Sequence, residues 1–592
     1  MEKAIVSRNI DLDALKGIAI IAVVLYHIGI LPFGYLGVDI FLVVNGYFIT
    51  HAMLHQFNEK TFSYTAYLKK KLVRLWPLVV LASIISVIIG YYFMLPDDYE
   101  NLGQSVVASN VFANNILACI TTGNYWDVVN SHKPLMHTWY VGILVQCYVI
   151  FPIFVLCITK FSKNIGRTLL IILTLAFMAL YILPFFNAAM KFYYLPFRLF
   201  EFLIGANIAA NINDIRNIRH TKSIYVVTLL LIVSLCVLDI SFINNQYKVL
   251  LISILTGGGI LCLLKTKGSI FKANILYKLL ATIGVMSYSI FIWHQVAVAF
   301  YKYSYNPYMN TFDYIILLII ICIVSVASYY LIEKPLSKIK GKQVNKLLIY
   351  TFTFALIISI SGLFIYTRAG VVRDVPELGI STDKIQKGMH AAYCDRIYAY
   401  DKPFENNGKV KVLGIGDSFV RDFINVLLES KYTDSLDISY IYTNRMNEGN
   451  SKEHANRVNS ADYVFMNREI ETMPILVKNA LKNHENVWGI GTKSFGESNG
   501  FAYARRNSQD YFGIRVPLIP KIAEAYQSEK TYWKDRYVDF IAPIINEHSF
   551  MPVFTDDSMY ISQDCRHLTK EGARYYSKII DLDSIFKKDI GD

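Results

Sequence analysis

The chain has 592 residues, of which 54% are hydrophobic and only 18% are charged, and its mean hydropathy is +0.35. Soluble domains contain about a quarter charged residues, so this composition disfavours an ordinary soluble enzyme and excludes a disordered chain. The net charge of +12 is compatible with nucleic-acid binding. However, residues 368–592 carry 30 Lys and Arg against 32 Asp and Glu. The positive excess therefore lies in the apolar first part, where basic cytoplasmic loops explain it, and no nucleic-acid partner is predicted.

Apolar segments of spanning length predict a polytopic α-helical membrane bundle in contact with the lipid bilayer. The first run lacks a small-residue cleavage site and is followed by another, so we predict no cleavable signal peptide. Segment 103–120 is amphipathic and is expected to be interfacial or re-entrant. The eleven predicted spans are 17–31, 35–54, 75–95, 135–159, 168–186, 192–210, 224–243, 248–264, 280–300, 313–332 and 346–367.

Basic residues are concentrated in alternate loops, which sets the expected orientation. Eleven crossings would leave the N-terminus in the cytoplasm and residue 368 onward outside, whereas an even number would reverse the second half. We expect a membrane domain over 1–340, a linking transmembrane helix over 341–370, an extracytoplasmic linker or extension over 371–408, and an α/β domain over 409–592. Basic loops include Lys69, Lys70, Lys71 and Arg74, and Lys334, Lys338 and Lys340; the main cations of the alternate loops are Lys133, Lys191, Lys248 and Lys302.

His27 is the most informative ionisable residue within an apolar segment, because such residues are costly in a membrane and mark functional sites. It follows Lys16 by eleven residues. In a helix this spacing returns both side chains to one face, about 16 Å apart. Alone, His27 is equally well interpreted as a core histidine bonded to a backbone carbonyl.

Further polar residues accumulate in the apolar segments. Arg198 and Glu201 have the i,i+3 spacing of an ion pair on one helix face. Asp39 and Glu333 add two more carboxylates. So many buried polar groups imply a polar cavity among the helices.

The soluble part begins as strand, turn and helix. Val410–Ile415 predicts a strand, Gly416-Asp417-Ser418 a turn and Phe419–Leu428 a helix. A serine at such a turn exposes its hydroxyl beside helix N-terminal amides. Asp564 and His567, just before a last helix over 568–580, are spaced so that the carboxylate could orient a histidine that activates Ser418. A turn and an unrelated surface histidine are the alternative. Later strand-like runs are Tyr463–Met466 and Val487–Ile490, and alternating strands and helices predict a small parallel sheet.

Six short sequence blocks follow one another in order between residues 10 and 335. They are Lys16–His27, Gly34–Tyr47, Arg74–Pro77, Arg198–Glu201, Ser287–Ser289 with Trp293-His294, and Leu331–Pro335. Together they resemble the acyltransferase-3 family of membrane-bound acyltransferases, which implies a bundle of about ten helices and a linking eleventh span.

The acyltransferase-3 resemblance implies acetyl-CoA as the donor substrate and His27 as base or acyl carrier. Lys16, Lys69–Lys71 and Arg74 would face the coenzyme A phosphates, while Asp39, Arg198, Glu201 and Glu333 would support the membrane site. The chain departs from the family pattern at Lys16, where arginine is usual, and at Leu144 and Val145, where acidic residues are usual.

Residues 409–585 resemble an SGNH-type hydrolase or transferase domain through the Gly416-Asp417-Ser418 and Asp564–His567 blocks. This resemblance implies Ser418 as nucleophile with His567 and Asp564 as its partners. The Gly and Asn blocks of the oxyanion hole are not evident, and Asn467 and Gly491–Gly496 are candidates. No metal site and no tightly bound cofactor are predicted.

Both resemblances imply a membrane O-acetyltransferase that moves an acetyl group from cytoplasmic acetyl-CoA to a cell-surface glycan. Either Ser418 carries the acyl group, or the membrane site acylates the sugar directly. A tethered glycan deacetylase and a polysaccharide transporter are the alternatives. Cys394 and Cys565 are the two cysteines placed outside the membrane, and we predict a disulfide between them. A disulfide favours a Gram-negative periplasm, hence an inner-membrane protein acting on lipopolysaccharide O-antigen or capsule.

Overall fold

A computed structural model describes residues 9–121, 132–159, 163–212, 214–215, 218–240, 243–266, 274–383 and 389–590. The chain divides into two compact units. The first, called the membrane unit, is Met1–Gly90, Leu102–Lys302 and Tyr308–Leu363. The second, called the outer unit, is Tyr91–Asn101, Tyr303–Pro307 and Phe364–Asp592.

The membrane unit is helical, and a helix coincides with every predicted apolar segment. A π-helical turn, Tyr329–Glu333, follows the long helix that begins at Thr311. The helices are α1 (Ile10–His27), α2 (Gly37–Asn58), α3 (Tyr64–Phe93), α4 (Pro96–Asn110), α5 (Asn114–Thr121), α6 (Thr138–Thr159), α7 (Lys163–Ile182), α8 (Ala188–Tyr193), α9 (Leu195–Asn211), α10 (Thr221–Val237), α11 (Asn245–Lys265), α12 (Ile275–Val285), α13 (Ser287–Ser304), α14 (Thr311–Ser328), α15 (Lys334–Leu336) and α16 (Lys342–Thr367).

Several of these helices are long and apolar enough to cross a bilayer, so the chain is a multi-pass membrane protein. Among the described residues, six helices meet the length and composition of a span, and a seventh is formed if the bent pair α12 and α13 counts as one. Helices Gly166–Ile182 and Thr221–Val237 are apolar but shorter. The predicted helices are therefore confirmed, whereas the predicted count of eleven spans is not.

Glycines set how closely the membrane helices approach one another. A β-carbon on Gly46 of α2 would overlap the Phe202 carbonyl of α9, and one on Gly205 of α9 would overlap the Val43 carbonyl of α2. Small residues let helix backbones touch in this way. The α2–α9 crossing therefore depends on two glycines, one from each helix.

The outer unit is built on a five-stranded parallel sheet with the strand order β2-β1-β3-β4-β6; β5 and β7 form an antiparallel pair. Its strands are β1 (Val410–Gly416), β2 (Leu436–Tyr442), β3 (Tyr463–Met466), β4 (Val487–Ile490), β5 (Arg515–Pro517), β6 (Tyr537–Val538) and β7 (Phe550–Pro552). Its helices are α17 (Met389–Asp395), α18 (Ser418–Leu428), α19 (Ser451–Ser460), α20 (Ile475–Lys482), α21 (Gly500–Tyr503), α22 (Pro520–Trp533), α23 (Lys570–Ile579) and α24 (Asp583–Ile590).

Helices cover both faces of this sheet. Val412 shares an apolar core with α18 and α23, while its neighbour Leu413 joins a second core with α19 and α20. Alternating strand residues point to opposite faces. Val375 and Ile397, from the segment expected to be a linker or extension, are buried in the first core, so that segment packs as part of the domain.

We predict that Gly205→Leu destabilises the membrane unit, because the side chain must displace the α2 backbone. Overpacking of this kind costs about 1–3 kcal/mol or more. The measurement is the apparent melting temperature of the full chain in detergent, which should fall by several degrees. Gly258→Leu is the matched control, since no atom lies within 4 Å of a β-carbon there. Equal melting temperatures for the two variants would contradict the proposed role of the crossing.

Candidate functional site

A cavity of about 1430 Å³ lies within the membrane unit. Its charge is strongly positive, because the two carboxylates in its wall are already paired: Asp13 with Lys16 at 2.6 Å and Glu333 with Arg74 at 3.3 Å. An excess of cations in a concave site attracts an anionic ligand. Seven cations line it, including all five predicted to face donor phosphates: Lys16, Lys69, Lys70, Lys71, Arg74, Lys334 and Lys340.

The remaining wall of this cavity includes aromatic and aliphatic side chains, among them Phe41, Tyr140, Leu144 and Phe291. Apolar walls with a few placed polar groups are typical of small-molecule sites. The cavity thus combines a cationic set with an apolar set, as an anionic ligand with an uncharged reactive group requires.

His27 lies at the last position of α1, beyond this cavity wall. Helix α1 is continuous from Ile10 to His27, so Lys16 and His27 share one helix as predicted. His27 does not line the cavity. Its ring centroid lies 5.0 Å from that of His294, and His294 lies 5.5 Å from Phe291, which does line the cavity. His294 and Phe291 therefore connect His27 to the cavity wall.

His294 belongs to one of the family-like sequence blocks, and neither His294 nor His137 was assigned a role from the sequence. The structure packs their rings 5.4 Å apart, and His137 also contacts Phe291 at 5.3 Å. The signal was visible, because both histidines lie in apolar segments next to aromatic residues. What the sequence did not provide was their position beside His27.

Asp39, Arg198 and Glu201 form a buried charge cluster in the membrane unit. Arg198 pairs with Asp39 across the α2–α9 crossing and with Glu201, one turn along α9, at 3.1 Å. All three side chains are at most 1% exposed. The ion pair expected from the i,i+3 spacing is present, and it also captures Asp39.

In the outer unit, Ser418 opens helix α18 directly after strand β1. Asp417 caps the helix, and its Oδ1 accepts a hydrogen bond from the Phe419 amide at 3.0 Å. Ser418 is buried, and its Oγ makes no hydrogen bond within the described part of the chain. The first amides of a helix lack partners within the helix; here the Phe419 amide is bonded to the Asp417 carboxylate.

Asn467 lies beside this turn because β1 and β3 are parallel neighbours, with Ile415 paired to Met466. Its Nδ2 donates to Asp417 Oδ1 at 2.6 Å. The other candidate segment, Gly491–Gly496, has amides that are already engaged: Gly491 N donates to Val538 O, and Thr492 N to Glu529 Oε2, at 2.9 and 2.7 Å. Asn467 is the candidate that the structure places beside Ser418, through its two hydrogen bonds with the adjacent Asp417.

His567 is oriented by Asp564, whose Oδ2 lies 2.5 Å from His567 Nδ1. Asp564 Oδ1 also accepts from the amides of Arg566 and His567, at 2.9 and 2.8 Å. A carboxylate held in this way fixes the imidazole orientation and leaves Nε2 as the reactive nitrogen.

Asp422 connects the histidine loop to the serine helix. It lies one turn after Ser418 on α18, on the same face, and it is fully buried. Its Oδ2 accepts from the amide of Leu568, next to His567, at 2.9 Å and pairs with Lys493 Nζ. The structure thus joins Ser418, His567 and the Gly491–Gly496 segment around one carboxylate that was not identified from the sequence.

The predicted disulfide is not formed. Cys565 is a free, buried cysteine, and burial raises the pKa of its thiol. Its backbone is left-handed, with φ of +66°. Cys394 Sγ instead donates to the Leu568 carbonyl at 3.8 Å. Cys565 belongs to the first apolar core of the domain, and Cys394 is buried beside the Leu568 carbonyl.

Comparison with known sequences identifies the domain that holds the cavity. Residues 9–334, more than half of the chain, match the profile of the acyltransferase domain. The chain belongs to the acyltransferase-3 family. No solved structure matches it.

Relatives of this acyltransferase-3 chain include the peptidoglycan O-acetyltransferase OatA of Listeria monocytogenes, 27% identical over 302 residues and 48% of each chain. The putative peptidoglycan O-acetyltransferase YrhL of Bacillus subtilis is 26% identical over 55% of this chain and 54% of its own. O-acetyltransferase OatA of Staphylococcus aureus strain NCTC 8325 is 24% identical over 60% and 63%. The chain spans about half to just under two thirds of the length of these relatives.

Glu333 joins three of the acyltransferase-3 sequence blocks. Its Oε1 accepts from Arg74 at 3.3 Å and its Oε2 from Ser289 Oγ at 2.7 Å. Glu333 and Arg74 both line the cavity. Leu144, one of the departures from the family pattern, lies in the apolar part of the same wall.

We predict that Asp422→Asn slows labelling of Ser418 by a fluorophosphonate, a probe that reports an activated serine, by about tenfold or more. The substitution leaves the Lys493 ammonium buried without its charge partner, which costs roughly 3–5 kcal/mol. Labelling and melting temperature are measured on the full chain. The exposed Asp434→Asn is the control.

The double variant Asp422→Leu with Lys493→Met separates stability from positioning. It removes both charges, so the melting temperature should recover. Labelling should stay slow, because the Leu568 amide still lacks its acceptor. Fast labelling in either Asp422 variant would show that this carboxylate does not position His567.

Proposed function

We propose that the chain is a membrane O-acetyltransferase that moves an acetyl group from acetyl-CoA to a hydroxyl of a cell-surface glycan. The observation that carries this proposal is the cavity in the acyltransferase domain. It brings seven cations together and is connected through Phe291 and His294 to His27.

Coenzyme A fits the chemistry of this cavity. Its phosphates need several cations, and guanidinium and ammonium groups are the usual phosphate partners. Its thioester is uncharged and suits the wall formed by Phe41, Leu144 and Phe291. In this proposal the donor enters from the cytoplasm, the basic loops are cytoplasmic, and the outer unit lies outside a bacterial cytoplasmic membrane.

His27 acts as general base in the membrane unit. An imidazole has the pKa range for accepting a proton from an attacking hydroxyl. Lys16, on the same helix, helps to hold the donor in the cavity. The Asp39–Arg198–Glu201 cluster and Glu333 support the site by fixing the helices around it.

Ser418 carries the acetyl group in the outer unit, as in SGNH-type enzymes. His567 removes the serine proton, Asp564 holds the imidazole, and Asn467 donates to the oxyanion. The parallel sheet, with Ser418 after the interior strand β1 and Asn467 after the neighbouring central strand β3, supports this assignment.

We propose peptidoglycan as the acceptor. The argument for lipopolysaccharide or capsule depended on the disulfide between Cys394 and Cys565, which is not formed. Two of the relatives are named peptidoglycan O-acetyltransferases. Both points favour a cell-wall glycan.

The test follows isotope-labelled acetyl from acetyl-CoA in membranes that contain the full chain. The wild type should place the label on Ser418, detected by mass spectrometry, and then on added peptidoglycan fragments. His27→Ala should prevent both. Ser418→Ala should lower glycan labelling by about a thousandfold or more, as expected for loss of a nucleophile.

Other results of this experiment would indicate a different transfer route, acceptor or function. Undiminished glycan labelling in Ser418→Ala would show direct transfer at the membrane site. Label on lipopolysaccharide or capsule, but not on peptidoglycan, would change the acceptor. Ser418 acetylated from glycan and never from acetyl-CoA would indicate a deacetylase, and no transfer with polysaccharide export would indicate a transporter.

We predict that Lys69→Gln with Lys70→Gln raises the KM for acetyl-CoA by roughly tenfold to thirtyfold and changes kcat little. About 1 kcal/mol for each exposed lysine–phosphate contact gives this range. An unaltered kcat follows if the contacts are equal in ground and transition states. Initial rates against acetyl-CoA concentration measure both constants.

Lys278→Gln is the control for this donor prediction, because Lys278 is exposed and does not line the cavity. A KM equal to that of the wild type in the double variant would remove these lysines from the donor site.

A further inference from the structure

His294 has a buried nitrogen without a hydrogen-bond partner among the residues that the structure describes. Its Nδ1 lies 3.2 Å from the Ile290 carbonyl oxygen. A carbonyl can only accept a hydrogen bond, so Nδ1 carries the hydrogen and Nε2 carries the lone pair. The residue is fully buried, and Nε2 has no hydrogen-bond partner among the described residues.

An unsatisfied basic nitrogen in a protein interior is costly and calls for an explanation. The described residues hold no group of three His, Cys, Asp or Glu spaced to bind a metal ion. The nearest rings are those of His27 at 5.0 Å, His137 at 5.4 Å and Phe291 at 5.5 Å. His294 thus contacts both His27 and a side chain of the cavity wall.

The position of His294 matters because the proposed reaction moves a proton from the acceptor oxygen to the coenzyme A sulfur. The acceptor O–H bond breaks and an O–C bond forms, while the C–S bond of the thioester breaks. The proton must travel from the acceptor oxygen, where His27 takes it, to the coenzyme A sulfur in the cavity. Neither His27 nor His294 lines the cavity. Of the two, His294 is the one with a ring contact to the cavity wall among the described residues, through Phe291.

We propose that His294 is a proton-relay residue, which takes the proton from His27 at Nε2 and releases it to the donor cavity beside Phe291. The released proton neutralises the coenzyme A thiolate, so the products are the ester and the free thiol. No oxidant or further reactant is needed. This inference rests on the proposed function and extends it from the base to the path of the proton.

The test uses the purified full chain in lipid nanodiscs, with labelled acetyl-CoA and peptidoglycan fragments. His294→Ala should lower kcat by about a hundredfold, the contribution typical of acid–base assistance, while the KM for acetyl-CoA changes less than about twofold. Added imidazole should restore activity in the space left by the side chain. The restored rate should rise with the pKa of a series of substituted imidazoles, and pyrrole, which has the same shape without a basic nitrogen, should not rescue.

The neighbouring Trp293→Phe is the matched control, since it alters another buried ring of α13 that makes no ring contact with the histidines among the described residues. If His294→Ala fails to fold, judged by its melting curve, His294→Gln, which also lacks a basic nitrogen, decides the question by the same loss of kcat. Activity within about threefold of wild type, or equal rescue by pyrrole and imidazole, would overturn the relay.

Failure of the relay is distinguishable from failure of the proposed function. If the wild type transfers acetyl, His27→Ala does not and His294→Ala does, the relay alone is wrong. If the wild type transfers no acetyl to any glycan, the proposed function is wrong and the relay falls with it.

Discussion

The buried pairing of Arg198 with Asp39 and Glu201 is the interaction on which the membrane unit depends. A charge in a hydrocarbon interior is tolerated only when it is paired, and these side chains are at most 1% exposed. The pair joins α2 to α9, and these helices meet closely because Gly46 and Gly205 have no side chains. The ion pairs of Arg198 and the close backbone contact between α2 and α9 therefore depend on each other. Together they fix α2, whose Phe41 and Phe48 line the cavity.

In the outer unit the corresponding constraint is the parallel sheet. Parallel strands end at one edge, so residues that follow β1 and β3 are neighbours although they lie far apart in the chain. Asp417, next to Ser418, and Asn467 meet for this reason. His567 lies on a loop, and a loop must be held in place by contacts with other elements. Asp422 supplies it from inside helix α18 by holding the Leu568 amide.

How much the sequence could predict depended on whether the interaction was local. Features that depend on a few adjacent residues could be predicted: the helical segments, the Lys16–His27 spacing, the Arg198–Glu201 pair and the strand–Ser418–helix turn. The Thr569 cap, whose Oγ1 accepts from the Gly572 amide, is equally local. Strand β2, Leu436–Tyr442, was missed, although Leu436, Ile438 and Tyr440 alternate with the polar Asp437 and Ser439 as in a half-buried strand. The number of spans was not confirmed, because several apolar helices are short or bent.

Contacts between segments that lie far apart along the chain could not be predicted from the sequence. The Cys394–Cys565 disulfide was inferred by elimination, because these are the two cysteines outside the apolar segments, and both are free in the structure. His294 and Asp422 were missed for the same reason. A histidine in an apolar segment and an aspartate in an amphipathic helix have many interpretations until their partners from other elements are known.

Coenzyme A and the acetyl group, the two parts of the proposed donor, differ in charge. Coenzyme A carries several charges, and the acetyl group carries none, so a barrier to ions need not be a barrier to the transferred group. In the membrane unit the cations proposed to bind the donor line the cavity, while the neighbouring site is formed by imidazoles and the ring of Phe291. Imidazoles accept and release protons without holding a permanent charge. A site of this composition exchanges an acyl group and a proton with the cavity while the charged part of the donor stays on its own side.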